Sequence, residues 1–304
     1  MRVAVTGAGG RLGRALVGAL GDAPFTGPAG PIAWTRADFD LDAPGTIEGL
    51  LERDRPEVVV HTAAWTDVDG CARDPALARQ RNADAVQTLA EATATRGIDL
   101  IHISTNEVFD GTRPRDRGYL PDDAPTPANP YGASKLAGEQ AASAAYQGTA
   151  ARLTIVRTSW LYGPPGSDFP SKILAAAAAA IEHGDALRVV GDEFGSPTFS
   201  HDLAEAIAGL LATDAPDAVV GLHHIVNAGI ASRAGWAREL FRQVGVEVEV
   251  EEIASTDWPR DSTPPSWGVL EPTVPPGGEP MRPWPEALAE YIPVLRRQRA
   301  AAVR

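Results

Sequence analysis

Tyr131 and Lys135 stand four residues apart in Pro130-Tyr-Gly-Ala-Ser-Lys135, inside a stretch (129–146) that predicts a helix. Residues at i and i+4 share a helix face. A phenol with a pKa of about 10 is a poor proton-transfer group at neutral pH. An ammonium one turn away favours its ionised form. Such a pair suits reduction of a carbonyl: hydride reaches the carbon while tyrosine protonates the oxygen. Tyrosine and lysine at this spacing also occur as plain surface pairs, so the neighbourhood decides. Ile101-His-Ile-Ser-Thr105 closes a predicted strand over 98–104, and a hydroxyl at the C-terminal end of a strand in an open α/β sheet faces the ligand crevice. Thr105 is thereby placed to hydrogen-bond the reacting oxygen. Lys135 is also one of only two lysines, with Lys172, against 25 arginines. Arginine's broad fork is a poor substitute for a compact ammonium.

A second constellation lies at the start of the chain. Thr6-Gly7-Ala-Gly-Gly10-Arg-Leu-Gly13 joins a predicted strand (2–6) to a predicted helix (11–20). Glycines at 7, 10 and 13 permit a tight turn, close backbone approach to a pyrophosphate, and close packing of helix on sheet. The helix N-terminus offers free N–H groups to phosphate. The next strand (32–34) is followed by Arg36, where an acid would bind a ribose 2′-hydroxyl and an arginine accommodates a 2′-phosphate. Arg36 favours NADPH over NADH, tempered by Asp38, Asp40 and Asp42 close behind it.

These groups need a parallel sheet to bring them together. Short β-rich runs at 2–6, 32–34, 58–60, 98–104 and 153–158 alternate with helical stretches at 11–20, 44–53, 75–95 and 129–146. That alternation predicts an α/β, Rossmann-like, doubly wound sheet covered on both faces. Beyond Tyr162-Gly-Pro-Pro165 the pattern loosens into helices at 171–182, 200–212 and 232–244, with Ser232 as N-cap, and strands at 186–190, 222–226 and 246–253. Nine prolines among residues 259–285 predict ordered coil wrapping a site, before a last short helix at 282–291. The expected division is a nucleotide-binding domain over 1–160, to which 198–215 returns, and a smaller α/β substrate-binding subdomain from 161–197 and 216–304.

Composition bounds the function classes. With 304 residues, 40 acids and 27 bases, the net charge is −13, which argues against nucleic-acid or membrane-surface partners. One cysteine, Cys71, excludes an intrachain disulfide and a thiolate metal cage. No apolar run approaches membrane-span length, and the immediate entry into a strand predicts no signal peptide, hence a cytoplasmic protein. The six histidines show no metal-ligand spacing; His223 and His224 are adjacent in a predicted strand and point to opposite faces. Asp116, Asp122 and Asp123 read as a solvated loop.

The combined motifs resemble the extended short-chain dehydrogenase/reductase superfamily and, within it, the dTDP-4-dehydrorhamnose reductase family. The resemblance is carried by the glycine loop and by His61-Thr-Ala-Ala-Trp-Thr-Asp-Val-Asp69, Ser104-Thr-Asn-Glu-Val-Phe-Asp-Gly111 and Asn129-Pro-Tyr-Gly-Ala-Ser-Lys-Leu-Ala-Gly-Glu139. Arg157-Thr-Ser-Trp-Leu-Tyr-Gly163 and Gly195-Ser-Pro-Thr198 continue it to about residue 210. It implies reduction of the 4-keto group of a dTDP-6-deoxyhexulose, most simply dTDP-4-dehydro-L-rhamnose, with NADPH or NADH. It implies that Gly7, Gly10, Arg11, Leu12 and Gly13 hold the pyrophosphate, Asp40 and Leu41 contact adenine, and Ala63 and Ala64 line the cofactor. Tyr131 becomes the proton donor, Lys135 binds the nicotinamide ribose and lowers the tyrosine pKa, and Thr105 polarises the keto oxygen. Thr66, Val68, Asn106 and Trp160 match positions touching the sugar nucleotide. The family also allows magnesium at a subunit contact, and so a homodimer, though no motif here specifies either. One departure stands out: the usual S-T-D-Y-V-F reads Ser104-Thr-Asn-Glu-Val-Phe109, which changes charge and shape beside the sugar. The same scaffold also serves epimerases, ketoreductases for antibiotic sugars, and non-catalytic NADP-binding regulatory subunits.

Overall fold

Continuous apolar runs form the inner strands of one parallel sheet, because both faces of that sheet are covered. The computed structural model describes residues 1–165, 167–274 and 279–302. Strands β1 (Val3–Thr6), β2 (Ile32–Trp34), β3 (Val58–His61), β4 (Asp99–Thr105) and β5 (Leu153–Thr158) stand where the sequence places them. With a later strand, β10 (Gly221–His224), at one edge, the sheet order is β10-β5-β4-β3-β1-β2, with all pairs parallel. Chain direction across the sheet reverses at β1 and β3, and the crevice outside their C-terminal ends is where an open α/β sheet binds ligands.

The helices are α1 (Arg11–Gly21), α2 (Ile47–Asp54, entered through a 3₁₀ turn at Pro44–Thr46), α3 (Val68–Arg73), α4 (Pro75–Arg79), α5 (Ala85–Ala94) and α6 (Pro130–Tyr146). Between α4 and α5, Gln80–Asp84 form a π turn instead of the uninterrupted helix expected over 75–95. The extra residue turns Asn82 inward, where it accepts from the Trp65 backbone N–H at 2.8 Å and donates to the Trp65 carbonyl at 3.0 Å and the Ser134 hydroxyl at 3.0 Å. A π turn at such a bridge ties the 62–67 loop to α6.

The second half supplies β6 (Leu161–Tyr162), α7 (Phe169–His183), β7 (Leu187–Val190), β8 (Phe194–Gly195), β9 (Thr198–Phe199) and α8 (Ser200–Ala212). Then come β10 (Gly221–His224), β11 (Ala231–Ser232), α9 (Arg233–Val244), β12 (Val250–Ile253) and α10 (Trp284–Ala302). Ser232 caps α9 by accepting from the Gly235 N–H, as expected. Three expectations shift. Strand β10, assigned by sequence to the second subdomain, extends the central sheet beside β5. Only the last four residues of 246–253 pair, with β7. The last helix runs well past Tyr291 despite Pro293, because Leu288, Tyr291, Ile292 and Leu295 bury one continuous face. These residues join Tyr162, Phe199 and Trp236 in a second core, separate from the two cores flanking the sheet.

The segment 259–274 is ordered coil laid over the sheet's C-terminal edge: Tyr119 bridges Leu270, and Ser262 donates through its backbone N–H and its hydroxyl to Asp69. Pro275 and Pro276 lie outside the described residues. Asp123 is not a free loop acid: Arg113 and Arg117 pair with it and hold its carboxyl well below the usual range.

Candidate active site

At the C-terminal end of β1 the chain turns at Gly7 with φ +63°, a conformation in which a side chain is strained and would also strike Ala63. Gly13 sits so close under the Gly7 carbonyl that no Cβ fits between them. The turn is closed by the Gly10 N–H donating to Gly7 at 2.8 Å, and α1 starts immediately after it with no side-chain cap. An uncapped helix start behind bare backbone is a phosphate cradle.

Two joined cavities run along the sheet edge from this turn. The first, about 280 Å³, is lined by Gly7, Gly10, Arg36, Phe39, Asp40, Leu41, Ala63, Ala64, Trp65 and Arg81. The second, about 430 Å³, shares Gly7, Gly10 and Ala64 with it and brings together Arg11, Gly13, Thr66, Val68, Thr105, Asn106, Tyr131, Lys135 and Trp160. Their shared lining at the glycine turn suits a dinucleotide lying across it. The buried hydroxyls of Ser104, Thr158 and Ser159 line the second cavity without a partner among the described residues, which suits a polar ligand.

Individual side chains refine the picture. Leu12 packs into the core under α1, so only its backbone serves the loop. Arg11 donates to the carbonyls of Gly163 (2.6 Å) and Ser167 (3.0 Å), clamping the β6 loop to the glycine turn. Arg36 is 77% exposed and pairs with Asp40 at 3.4 Å and Asp42 at 3.6 Å. Arg81 shares the cavity wall, stacks over Trp65, and holds Asp42 through two 2.6 Å bonds, which frees part of Arg36's charge.

Asn129 caps α6 by accepting from the Gly132 N–H at 2.8 Å, which presents Tyr131 on the first turn. The Tyr131 phenol hydrogen-bonds with the Thr105 hydroxyl. Burial and the nearby Glu107 charge push the phenol above its ordinary value, and the Thr105 bond only partly offsets them. The expected lowering by Lys135 is not found. The Lys135 ammonium donates to the Ile103 carbonyl at 2.8 Å, and burial brings its pKa down to about 8. Tyr131 is thus a neutral phenol at physiological pH, the form that gives a proton away. Below Lys135, Glu139 and Arg157 form a buried bidentate pair at 2.9 and 2.7 Å, and the Glu139 charge supports the ammonium.

Asn106 donates to the Gly268 carbonyl at 3.0 Å, tying the proline-rich segment to the cavity floor. Trp160 takes φ +44°, an uncommon conformation for a bulky residue. It is held by stacking on Trp236 and by Arg233, whose guanidinium lies 3.7 Å over its ring. Arg233, Phe39, Trp65 and Arg81 escaped the sequence reading. None carries a local signal; the Ser232 cap marked the helix that begins at Arg233 but not its reach into the cavity. His223 and His224 have separate partners, the carbonyls of Val219 and Tyr119. Among the described residues no three His, Cys, Asp or Glu side chains converge as a metal group, and no helix is long and apolar enough to cross a membrane.

Comparison with known proteins places the chain by its sequence and its fold. The family model described as RmlD substrate binding domain matches residues 1–297. The dTDP-4-dehydrorhamnose reductase of Mycobacterium tuberculosis is 38% identical over 297 residues, covering 96% of this chain and 92% of that protein. A probable dTDP-4,6-dihydroxy-2-methyloxan-3-one 4-ketoreductase of Streptomyces antibioticus is 34% identical over 96% of this chain and 95% of its own length. The crystal structure of dTDP-4-dehydrorhamnose reductase from Bacillus anthracis in complex with NADP superposes with a TM-score of 0.84 at 30% identity, covering 96% of this chain and 98% of that one.

Proposed function

The chain belongs to the dTDP-4-dehydrorhamnose reductase family of NADPH-dependent oxidoreductases, and we propose that it reduces the 4-keto group of dTDP-4-dehydro-L-rhamnose to give dTDP-L-rhamnose. The observation that carries this reading is the single cavity shared by the glycine turn and by Thr105, Tyr131 and Lys135. NADPH, when bound, supplies the hydride that reaches sugar C4. Gly7, Gly10 and Gly13 admit its pyrophosphate, Ala63 and Ala64 line it, Asp40 and Leu41 meet the adenine, and Arg36 meets the 2′-phosphate. Thr105 and Tyr131 grip the keto oxygen, and Tyr131 passes its proton to that oxygen as negative charge builds there. Lys135 lies one turn below Tyr131 and holds the ribose. Thr66, Val68, Asn106 and Trp160 position the sugar nucleotide. Residues 161–197 and the chain beyond β10 form the part that receives it, around the second core.

The Streptomyces antibioticus relative favours a second reading, a 4-ketoreductase for another dTDP-deoxysugar. A turnover screen of dTDP-, UDP- and GDP-linked 4-keto-6-deoxysugars, each with NADPH and with NADH, decides between them. The proposal requires the dTDP-4-dehydro-L-rhamnose and NADPH pair to give the highest kcat/KM; a higher value for another sugar replaces the substrate.

A further inference from the structure

Reducing a ketone takes one hydride and one proton, and Tyr131 with Thr105 accounts for the proton. Glu107 then has no part in the reaction, yet its side chain lines the same cavity. It is rigidly placed beside the proton donor. The Glu107 N–H donates to Thr105 Oγ1 at 3.2 Å, and the Glu107 carbonyl abuts Gly132 so closely that no Cβ fits at that position. The backbone of residue 107 is therefore fixed against Thr105 and against the first turn of α6, next to Tyr131. Asn129 donates to Oε2 at 2.6 Å and fixes the carboxylate's orientation.

We propose that Glu107 is a general base that removes a proton from a carbon adjacent to the C4 carbonyl, so that the enzyme enolises its keto-sugar and exchanges that proton with solvent. The inference rests on the 4-keto-sugar reading. In this step the C–H bond breaks to the Glu107 carboxylate, and its electron pair forms the carbon–carbon double bond. The carbonyl π pair moves onto O4, where Thr105 and Tyr131 already meet negative charge in reduction. Reversal returns a proton from Glu107 after exchange with water, so no oxidant or reductant is needed. Enolisation and reduction thus share one oxygen site and differ only in which carbon the chemistry touches. Burial weakens the Glu107 acid relative to an ordinary glutamic acid, and Asn129, Arg233 and Arg260 pull it partly back, against the nearby Asp69. A carboxylate with a raised pKa is a stronger base than a solvated one.

The test incubates the enzyme with dTDP-4-dehydro-L-rhamnose and NADP⁺ in D₂O, where reduction has no hydride source. Mass spectrometry reads deuterium uptake and proton NMR its position. Uptake next to C4 is expected at least tenfold above the enzyme-free control, and at least tenfold slower with Glu107→Gln, which keeps an oxygen for Asn129. NADPH titration of the variant confirms that it is folded. Uptake no faster than the control, from enzyme that reduces the same sugar with NADPH, overturns the inference and leaves the reductase reading standing. Uptake undiminished in Glu107→Gln also overturns it. No reduction of this sugar by NADPH removes the substrate reading and the inference with it.

Discussion

Replacing Glu139 with methionine removes one end of the ion pair beneath Lys135. The side chains of Glu139 and Arg157 are 5% and 3% exposed, their two bonds are 2.9 and 2.7 Å, and Arg157 Nη1 already lacks a partner among the described residues. The variant leaves a guanidinium buried beside Phe109 with nothing to balance it. Breaking such a pair costs about 3–5 kcal/mol, a large part of a typical stability of roughly 5–15 kcal/mol. Arg157→Met is expected to cost less, because Lys135 still faces the Glu139 charge. The double variant restores an apolar interior of similar volume and is expected within about 2 kcal/mol of the parent. Denaturant midpoints for the four proteins of the cycle, at pH 7.5, measure all three values. The Glu139 charge also keeps Lys135 protonated, so its removal takes the lysine below about 8, and NADPH turnover by Glu139→Met should recover on moving from pH 7.5 to 6.5. A single-variant loss under about 1 kcal/mol, or a double variant no better than the worse single, refutes the reasoning.

Arg36→Ala should raise the Kd for NADPH about tenfold, the value of one charge-assisted phosphate contact at an exposed site, while NADH changes less than about twofold. Paired fluorescence titrations report it, and equal losses for both cofactors remove Arg36 from the 2′-phosphate. Gly13→Ala drives a methyl into the Gly7 carbonyl; overpacking of about 1–3 kcal/mol should appear as a lower thermal midpoint together with weakened NADPH binding. Unchanged midpoint and affinity would contradict the close approach. His61 and His224 are buried neutral with pKa values lowered to about 3, and burial lowers His102 as well. Their folded pKa lies below the unfolded value of about 6.5, so the unfolded chain binds more protons between the two. Their stabilising contribution is complete above about pH 6.5 and is lost as pH falls toward 3. The denaturant midpoint should already drop between pH 7 and 5; a flat profile there refutes their burial as neutral groups.

What the sequence made legible was local. Glycines at 7, 10 and 13 sit between a strand and a helix, and turn geometry needs only those neighbours. Tyr131 and Lys135 share a helix face by spacing alone, and β3 opens on three consecutive valines. What escaped depends on contacts between distant segments. Asn82 turns inward only because Trp65 and Ser134 meet it, so nothing within 75–95 announces the π turn. β10 joins the main sheet because β5 offers it an open edge, while its own residues, Gly-Leu-His-His, form a weak strand pattern. Arg233 and Arg81 reach the cavities from α9 and the π turn, both remote in sequence from the glycine loop. The Lys135–Tyr131 spacing was legible, but the neutral phenol arises from burial and from Glu107, which spacing does not report.

The central claim is that Tyr131 gives a proton to the keto oxygen as hydride arrives at sugar C4. Steady-state turnover of dTDP-4-dehydro-L-rhamnose with NADPH, compared between the parent and Tyr131→Phe, tests it most directly when NADPH affinity is measured on the same samples. Losing the proton donor should lower kcat about 10²–10⁴-fold with the NADPH Kd unchanged. A Tyr131→Phe enzyme that turns over at close to the parent rate would contradict the account.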